Sequence, residues 1–338
     1  MVAISYALVV GEALIDMVSQ QTGRPLEDVS SFECCPGGAP ANVAVGLARL
    51  GVPVRFVGVV GDDPFGRFLR RFLAQAGVDV QGMRLTREAL TTLAFVGIRE
   101  DGEREFVFYR KPGADTLLRP EDLSPEVVKG ASILHHGTIT LAEEPGRSAL
   151  LRALEEARRG RVTISLDVNY REALWAEPGR ARVEIERVLA YAHLLKMSRE
   201  ELELLSGSGT VEGARRLHEA YPNLALVVVT EGAAGSWAVG GNGQYARADA
   251  FRVRAVDTTG AGDAFLAAFL WRLWRLAERQ RCSIEDAARQ CTAEELRAIL
   301  RAANAAGALT VQVRGAMTAL PSQDEIEAFL QTACRAAL

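Results

Sequence analysis

Short apolar, β-rich runs alternate with longer helical segments along almost the whole chain. YALVV (6–10), VRFVGVV (54–60), SILHH, VTISLD, HLLKMS and LALVVVT read as strands. APANVAVGLARL (39–50), FGRFLRRFLAQA (65–76), EEPGRSALLRALEEARR, VEGARRLHEAY and two segments from Thr259 onward read as helices. Gly51 and Gly77 each follow a helical run and supply the left-handed residue that commonly ends a helix. Strand and helix in strict alternation predict a doubly wound α/β fold, a mostly parallel sheet with helices on both faces.

Residues 91–110, TTLAFVGIREDGEREFVFYR, break the alternation. Two β-rich arms flank Asp101-Gly102, a strong hairpin signal. ALIDMV and SSFECC are further extended pieces with no helix between them. The expectation is one domain spanning 1–338, with strands of a small side sheet inserted at about 12–35 and 91–112. Pattern alone leaves open whether that sheet is a lid over the strand ends or a decorative hairpin. Its unpaired edges and its apolar stretches LAFVGI and EFVFY invite a second copy, so a homodimer built through these strands is expected.

Bulk properties exclude several classes. The net charge of −4 over 338 residues gives no general attraction to nucleic acid or anionic membrane. The basic run Arg272, Arg275, Arg279, Arg281 reads as a solvated helix face. The apolar N-terminal stretch lacks a basic leader and is interrupted by Glu12 and Asp16, which fits a buried strand and not a signal peptide. No run is long enough to span a membrane. Five cysteines without CxxC spacing, two of them adjacent at Cys34-Cys35, fit the reducing cytoplasm.

Two glycine motifs carry chemistry. Val256-Asp257-Thr258-Thr259-Gly260-Ala261-Gly262-Asp263 runs into FLAAFLWRLWRL, so its glycines sit where a loop becomes a helix. Free N–H groups and the helix dipole make that position an anion site, with Asp263 in the first turn. A capped helix start is the competing reading, although Asp257, Thr258 and Thr259 already offer caps. Gly37-Gly38-Ala39-Pro40-Ala41-Asn42 likewise opens a helix, and paired glycines let a ligand approach the backbone. GxxxxGK[ST] and GxGxxG are both absent, which disfavours a Walker A protein and a nicotinamide-dependent oxidoreductase.

GGAPANVAVGLARLG and DTTGAGDAF, in this order, resemble the two signatures of the ribokinase/PfkB carbohydrate kinase family, and the resemblance runs over nearly the full chain. It implies a ribokinase-like fold with a β-lid, and an ATP-dependent kinase acting on a sugar hydroxyl. It also implies residue roles. Asp263 is the catalytic base, and Gly260, Ala261 and Gly262 give N–H groups to the transferring phosphoryl group, as positioning and charge stabilisation require. Asp16, Gly37, Gly38 and Asn42 bind the sugar, joined by Arg110 and Arg171. For Asp16, an edge-strand carboxylate facing water is the alternative.

Lys196 and Ser198, Thr230 and Gly232, and Asn304 belong to the ATP side. Ser198 stands where many relatives carry Asn. Glu201 holds Mg²⁺ through water, or forms a capping box with Ser198, or both. Asn304 is alternatively a plain surface residue of its helix. Asp257 and Thr259 resemble the monovalent-cation loop of some members, closed by Arg314-Gly315-Ala316, so K⁺ is an expected cofactor beside ATP and Mg²⁺. His135 and His136 receive no catalytic role. Local wording such as DGEREFVFYRKPGADTLL and LLKMSREELELL is most similar to fructokinases. The alternative is 2-keto-3-deoxygluconate kinase, which shares DVNYREALW; its frequent tyrosine on the first hairpin arm is replaced here by Ala94-Phe95. Nucleoside kinases and a catalytically silent relative rank below these, the latter disfavoured by the intact GAGD.

Overall fold

The apolar runs are strands because helices cover them on both sides. In β1 (Ala7–Val10) every residue is buried. Ala7 and Val9 belong to one hydrophobic core and Leu8 and Val10 to a second, so the two-residue period of a strand feeds both faces of the sheet. In this computed structural model, residues 5–98, 104–175, 177 and 179–335 are described.

The remaining strands are β2 (Leu14–Thr22), β3 (Phe32–Gly37), β4 (Val54–Gly61), β5 (Met83–Thr86), β6 (Leu93–Ile98), β7 (Arg104–Tyr109), β8 (Ile133–His136), β9 (Thr163–Asp167), β10 (Leu194–Ser198), β11 (Leu226–Thr230), β12 (Ser236–Gly240) and β13 (Tyr245–Ala248). Nine of them form the main sheet in the order β13-β12-β11-β10-β9-β8-β1-β4-β5. Pairing is parallel from β11 through to β5, and antiparallel for β11–β12 and β12–β13. The chain lays β4 and β5 on one side of β1 and then returns to lay β8 onward on the other. The crevice off the carboxyl ends of β1 and β8 is therefore where a ligand belongs.

The other four strands form the side sheet, in the order β3-β2-β6-β7. The expected hairpin arms pair antiparallel, Leu93 with Tyr109 through Ile98 with Arg104. The Asp101-Gly102 turn itself lies outside the described residues. Register places Asp16 opposite Cys35 on one side and Ala94 on the other, and Ala94 opposite Phe108. These four share one face of the sheet. The opposite face carries Phe32, Phe95 and Tyr109 in edge and tilted ring contacts at 5.1 Å. Sequence reading missed β5, β12 and β13, all short. For the last two a signal existed: Gly240-Gly241-Asn242-Gly243 is a hairpin turn between SWAVG and YARA.

Two helices set the site. Ala39–Arg49 and Ala261–Gln280 pack in the same core. A Cβ built at Gly46 would stand 2.6 Å from the Cβ of Ala267. Only a glycine lets the helices approach this closely. One turn back from that contact, on each helix, lie Asn42 and Asp263.

Candidate active site

The turn Thr258-Thr259-Gly260 delivers the chain into Ala261–Gln280. Gly260 is the residue before the helix and has φ +75°, a left-handed conformation that a glycine adopts without cost. No side chain caps this helix, and the first full helical bond runs from Ala264 N to Gly260 O at 2.8 Å. Of the N–H groups before it, Ala261 N makes only a long 3.4 Å contact to Thr258 O, and Gly260, Gly262 and Asp263 line the crevice, so the helix end can take an anion. The expected caps are spent elsewhere. Asp257 Oδ1 accepts from Thr259 N at 2.9 Å and Thr259 Oγ1 at 2.6 Å, and its Oδ2 accepts from Gly315 N at 2.9 Å. Ala316 packs against Gly260, so the segment 314–316 closes the loop that Asp257 and Thr259 begin.

Asp263 is not a cap. Its Oδ2 accepts a hydrogen bond from Asn42 Nδ2 at 2.7 Å, across 221 positions of sequence. The residue keeps part of its surface open to the crevice, yet protein surrounds the carboxyl closely. Burial pushes its pKa up to about 6, against the opposing pull of the Asn42 bond and of Lys196 and Arg171. A carboxylate poised near neutrality can exchange a proton with a hydroxyl.

Lys196 supplies a positive charge beside the helix end. A Cβ on Gly262 would lie 3.3 Å from its Nζ. The ammonium is buried and held by both oxygens of Asp167, at 3.0 Å each. Desolvation opposes its charge, but Asp167 and Glu201 together raise its pKa, so it remains a cation.

A cavity of about 320 Å³ opens over these groups. Asp16, Gly38, Asn42, Arg171, Lys196, Ser198, Glu201, Thr259, Gly260, Gly262 and Asp263 all line it, with Glu12, Asn169 and Phe106 and Phe108 of the side sheet. Gly37 stands behind Asp16, where any Cβ would overlap the carboxylate. The side sheet thus roofs the crevice and is a lid. Asp16 is buried and faces the cavity, not open water as the edge-strand reading had it.

A second cavity of about 500 Å³ begins where the first ends, sharing Thr258 and Gly262. Thr230, Gly232, Phe251, Phe265 and Asn304 line this more apolar space. A shallower recess runs along the ends of β10 and β11, from Ser198 past Thr230 and Gly232 to Arg247.

Two of the expected residues are engaged within the fold. Arg110 does not line the cavity of Asp263. It is buried at the base of the lid, with Nε at 2.8 Å and Nη2 at 2.7 Å from Asp115 Oδ2. Thr92, at the other root of the hairpin, gives its hydroxyl to Asp115 as well. Nε and Nη2 of Arg110 thus help clasp the two ends of the lid to the body, while Nη1 is buried without a hydrogen-bond partner, 3.8 Å from Glu143 Oε1. Asn304 does line the second cavity, but its amide is consumed by the fold. Its Nδ2 donates to Ala248 O at 2.9 Å and Asp249 O at 3.2 Å, and its Oδ1 accepts from Ser236 Oγ at 2.9 Å. A ligand meets the side of this residue, not a free amide.

Ser198 and Glu201 do form a capping box: Glu201 N donates to Ser198 Oγ at 3.2 Å and Ser198 N to Glu201 Oε2 at 2.7 Å. Glu201 Oε1 also accepts from Tyr170 N at 2.7 Å, tying the end of β9 to that of β10. Each carboxylate oxygen accepts one of these bonds and has a further lone pair, and the residue lines the cavity. Among the described residues no cluster of three His, Cys, Asp or Glu can hold a metal. One acidic group beside a phosphate site nevertheless fits Mg²⁺, which keeps most of its waters. His135 and His136 are buried, and burial drives them down to about 3 and about 4, so they are neutral packing residues. Cys34, Cys35, Cys282 and Cys291 are free, and among the described residues no helix is long and apolar enough to cross a membrane.

Sequence reading passed over Glu12, Asp167 and Asn169 as site residues. Asp167 had a visible signal, a carboxylate closing the buried strand VTISLD. Asn169 is held at φ +35°, which no pattern announces.

Comparison with known proteins agrees with this geometry. Residues 5–323 match the model of the pfkB family carbohydrate kinases. A probable fructokinase-2 of Arabidopsis thaliana is 42% identical over 328 residues, covering 95% of this chain and 94% of its own. The fructokinase of Xylella fastidiosa, solved with bound ATP, superimposes with a TM-score of 0.86 at 33% identity, over 97% of this chain and 99% of its own. A double mutant of the Vibrio cholerae O395 fructokinase, solved with fructose, ADP and potassium ion, gives 0.83 at 35% identity, over 97% and 98%. With its ribokinase-like α/β fold and lid, the chain belongs to the pfkB family of carbohydrate kinases, phosphotransferases with an alcohol group as acceptor.

Proposed function

We propose that the protein is a fructokinase, converting ATP and D-fructose to ADP and fructose 6-phosphate. The observation that carries the mechanism is the placement of Asp263. Its carboxylate lies at an uncapped helix N-terminus, bonded to Asn42, where the lidded cavity meets the more apolar one. D-Fructose occupies the first cavity, held by Asp16 and Asn42 over the Gly37-Gly38 backbone, with Arg171 at the mouth. ATP lies along the second, its phosphates reaching the helix end past Thr230 and Gly232.

Asp263 takes the proton of the 6-hydroxyl. The oxygen forms a bond to the γ-phosphorus, the bond to the β,γ-bridging oxygen breaks, and ADP departs with that electron pair. N–H groups of residues 260–262 and the Lys196 ammonium stabilise the charge spread over the phosphoryl oxygens. Glu201, through water, is the residue fitted to hold Mg²⁺, which would neutralise phosphate charge.

Fructose as the substrate rests on the fructokinase relatives and on Ala94. That residue shares the cavity face with Asp16 and Phe108 and brings no polar group to a sugar acid. Arg171 favours the second reading, 2-keto-3-deoxygluconate kinase, because an open guanidinium at the cavity suits a carboxylate. ATP consumption measured with fructose, 2-keto-3-deoxygluconate, ribose and adenosine separates the two. Fructose is expected to give the highest kcat/KM; a higher value for the sugar acid overturns the assignment.

A further inference from the structure

Glu12 has no place in the chemistry above, yet it is one of the most deeply placed charged residues of the sugar cavity. It follows β1 at the point where strand order reverses, lines the cavity with Asp16 and Asp263, and is only 3% exposed. Its Oε2 is buried without a hydrogen-bond partner. Buried polar atoms in folded proteins are almost always satisfied, so an orphan on a residue that lines the cavity points to a partner brought by the ligand. The cavity's ligand, a sugar, brings hydroxyls that both donate and accept.

We infer that Glu12 is a substrate contact: its Oε2 hydrogen-bonds a hydroxyl of the bound sugar other than the one phosphorylated. The inference rests on the first cavity being the sugar site. Phosphoryl transfer occupies the hydroxyl at Asp263, so Glu12 acts in affinity and choice of sugar.

The state of the carboxyl follows from its surroundings. Burial pushes it up to about 8, and Asp115 and Asp263 push the same way; a bond from its own main chain and the charge of Arg110 oppose. The groups facing it are Arg110 and Asp115 from the lid hinge, Asp263 from the long helix and Asp16 from β2. At neutral pH Glu12 is therefore a protonated acid that can donate its O–H to a sugar oxygen. Above pH 8 it ionises, loses that donor and places a charge against Asp263, so sugar affinity falls.

The test uses the whole enzyme and D-fructose, or 2-keto-3-deoxygluconate should the panel place it first, with KM for sugar and ATP and kcat measured from pH 6.5 to 9. Glu12→Ala is expected to raise the sugar KM about tenfold, the worth of one buried hydrogen bond, with a smaller change in the ATP KM and kcat. In the wild type the sugar KM is expected to climb several-fold as pH passes 8. Glu12→Gln keeps a donor that cannot ionise, so its sugar KM is expected to stay level over that range. The same pH dependence in Glu12→Gln as in wild type, or a sugar KM in Glu12→Ala within about twofold of wild type, overturns the inference. If Glu12→Ala fails to fold, the Glu12→Gln profile decides alone. A wild type that phosphorylates no sugar of the panel overturns the reading of the cavity, a result distinct from a sugar kinase indifferent to Glu12.

Discussion

Replacing Asp263 by Asn separates catalysis from stability in opposite directions. Asn keeps the shape and can still accept from Asn42 Nδ2, so the helix end and cavity walls are expected to persist. The base is gone. General-base catalysis contributes about 10²–10⁴-fold, so kcat is expected to drop by at least about a hundredfold, or roughly 2.7 kcal/mol. Fructose and ATP should bind within a few-fold of wild type, because the N–H groups and Asp16 are untouched.

Stability moves the other way. Folding lifts the Asp263 carboxyl from an ordinary 3.8 to about 6. The folded protein then holds the proton more tightly than the unfolded chain, so stability falls as pH rises from about 4 to 6 and stays lower above. A shift of this size corresponds to a penalty on the order of 2–3 kcal/mol at neutral pH. Asn escapes it. Asp263→Asn is expected to raise Tm at pH 7.5 by roughly 3–4 °C and to leave it nearly unchanged at pH 4. The assay is thermal melting at both pH values beside steady-state kinetics. A lowered Tm at pH 7.5 with kcat nearly intact would refute the argument and make Asp263 a helix cap. In the wild type the same pKa predicts that kcat/KM is lost as pH falls through about 6.

Gly37→Ala puts a methyl into the Asp16 carboxylate and is expected to raise the sugar KM about tenfold or more, with ATP binding retained by calorimetry. Gly46→Val wedges the two central helices apart at Ala267, and is expected to cost about 1–3 kcal/mol in denaturant unfolding and to lower kcat by displacing Asn42 from Asp263. Potassium is expected to raise the rate relative to sodium or no added cation, by ordering the Asp257–Thr259 loop under the anion turn; equal rates in all three conditions would count against it. Tyr109, 66% exposed beside the exposed Val107 on the outer lid face, belongs to the proposed dimer contact. Tyr109→Asp is then expected to convert a dimer to a monomer in light scattering, and a wild type that is monomeric at micromolar concentration defeats the proposal.

Much of the fold was readable because the sheet is buried on both faces and its strands are continuous apolar runs with helical intervals. Asp263 and Asn42 were legible too, since glycine pairs that open helices are local features. The pairing of Arg110 with Asp115 was not legible, because the partner is five residues away through a turn that no periodicity describes. The three bonds of Asn304 could not be read, because they come from Ser236 and Ala248 on strands that were themselves missed and from Asp249 just beyond. Glu12 carried no pattern at all. Its significance comes from what fails to reach its Oε2, and an absence of partners exists only in three dimensions.

The contact of Gly46 with Ala267 also bears on how the protein is made. On a ribosome, the thirteen described strands emerge before Ala261–Gln280, a helix that covers one face of the main sheet with Phe265, Phe269, Trp271 and Trp274. Synthesis at roughly 5–20 residues per second leaves that face, and the apolar side of Ala39–Arg49, without their cover for seconds. Apolar surface exposed in this way is the kind that aggregates or recruits chaperones until a late segment covers it. The same arrival brings Asp263 to Asn42, but core and site are complete only once Ala293–Thr310 and the segment 314–316 have followed.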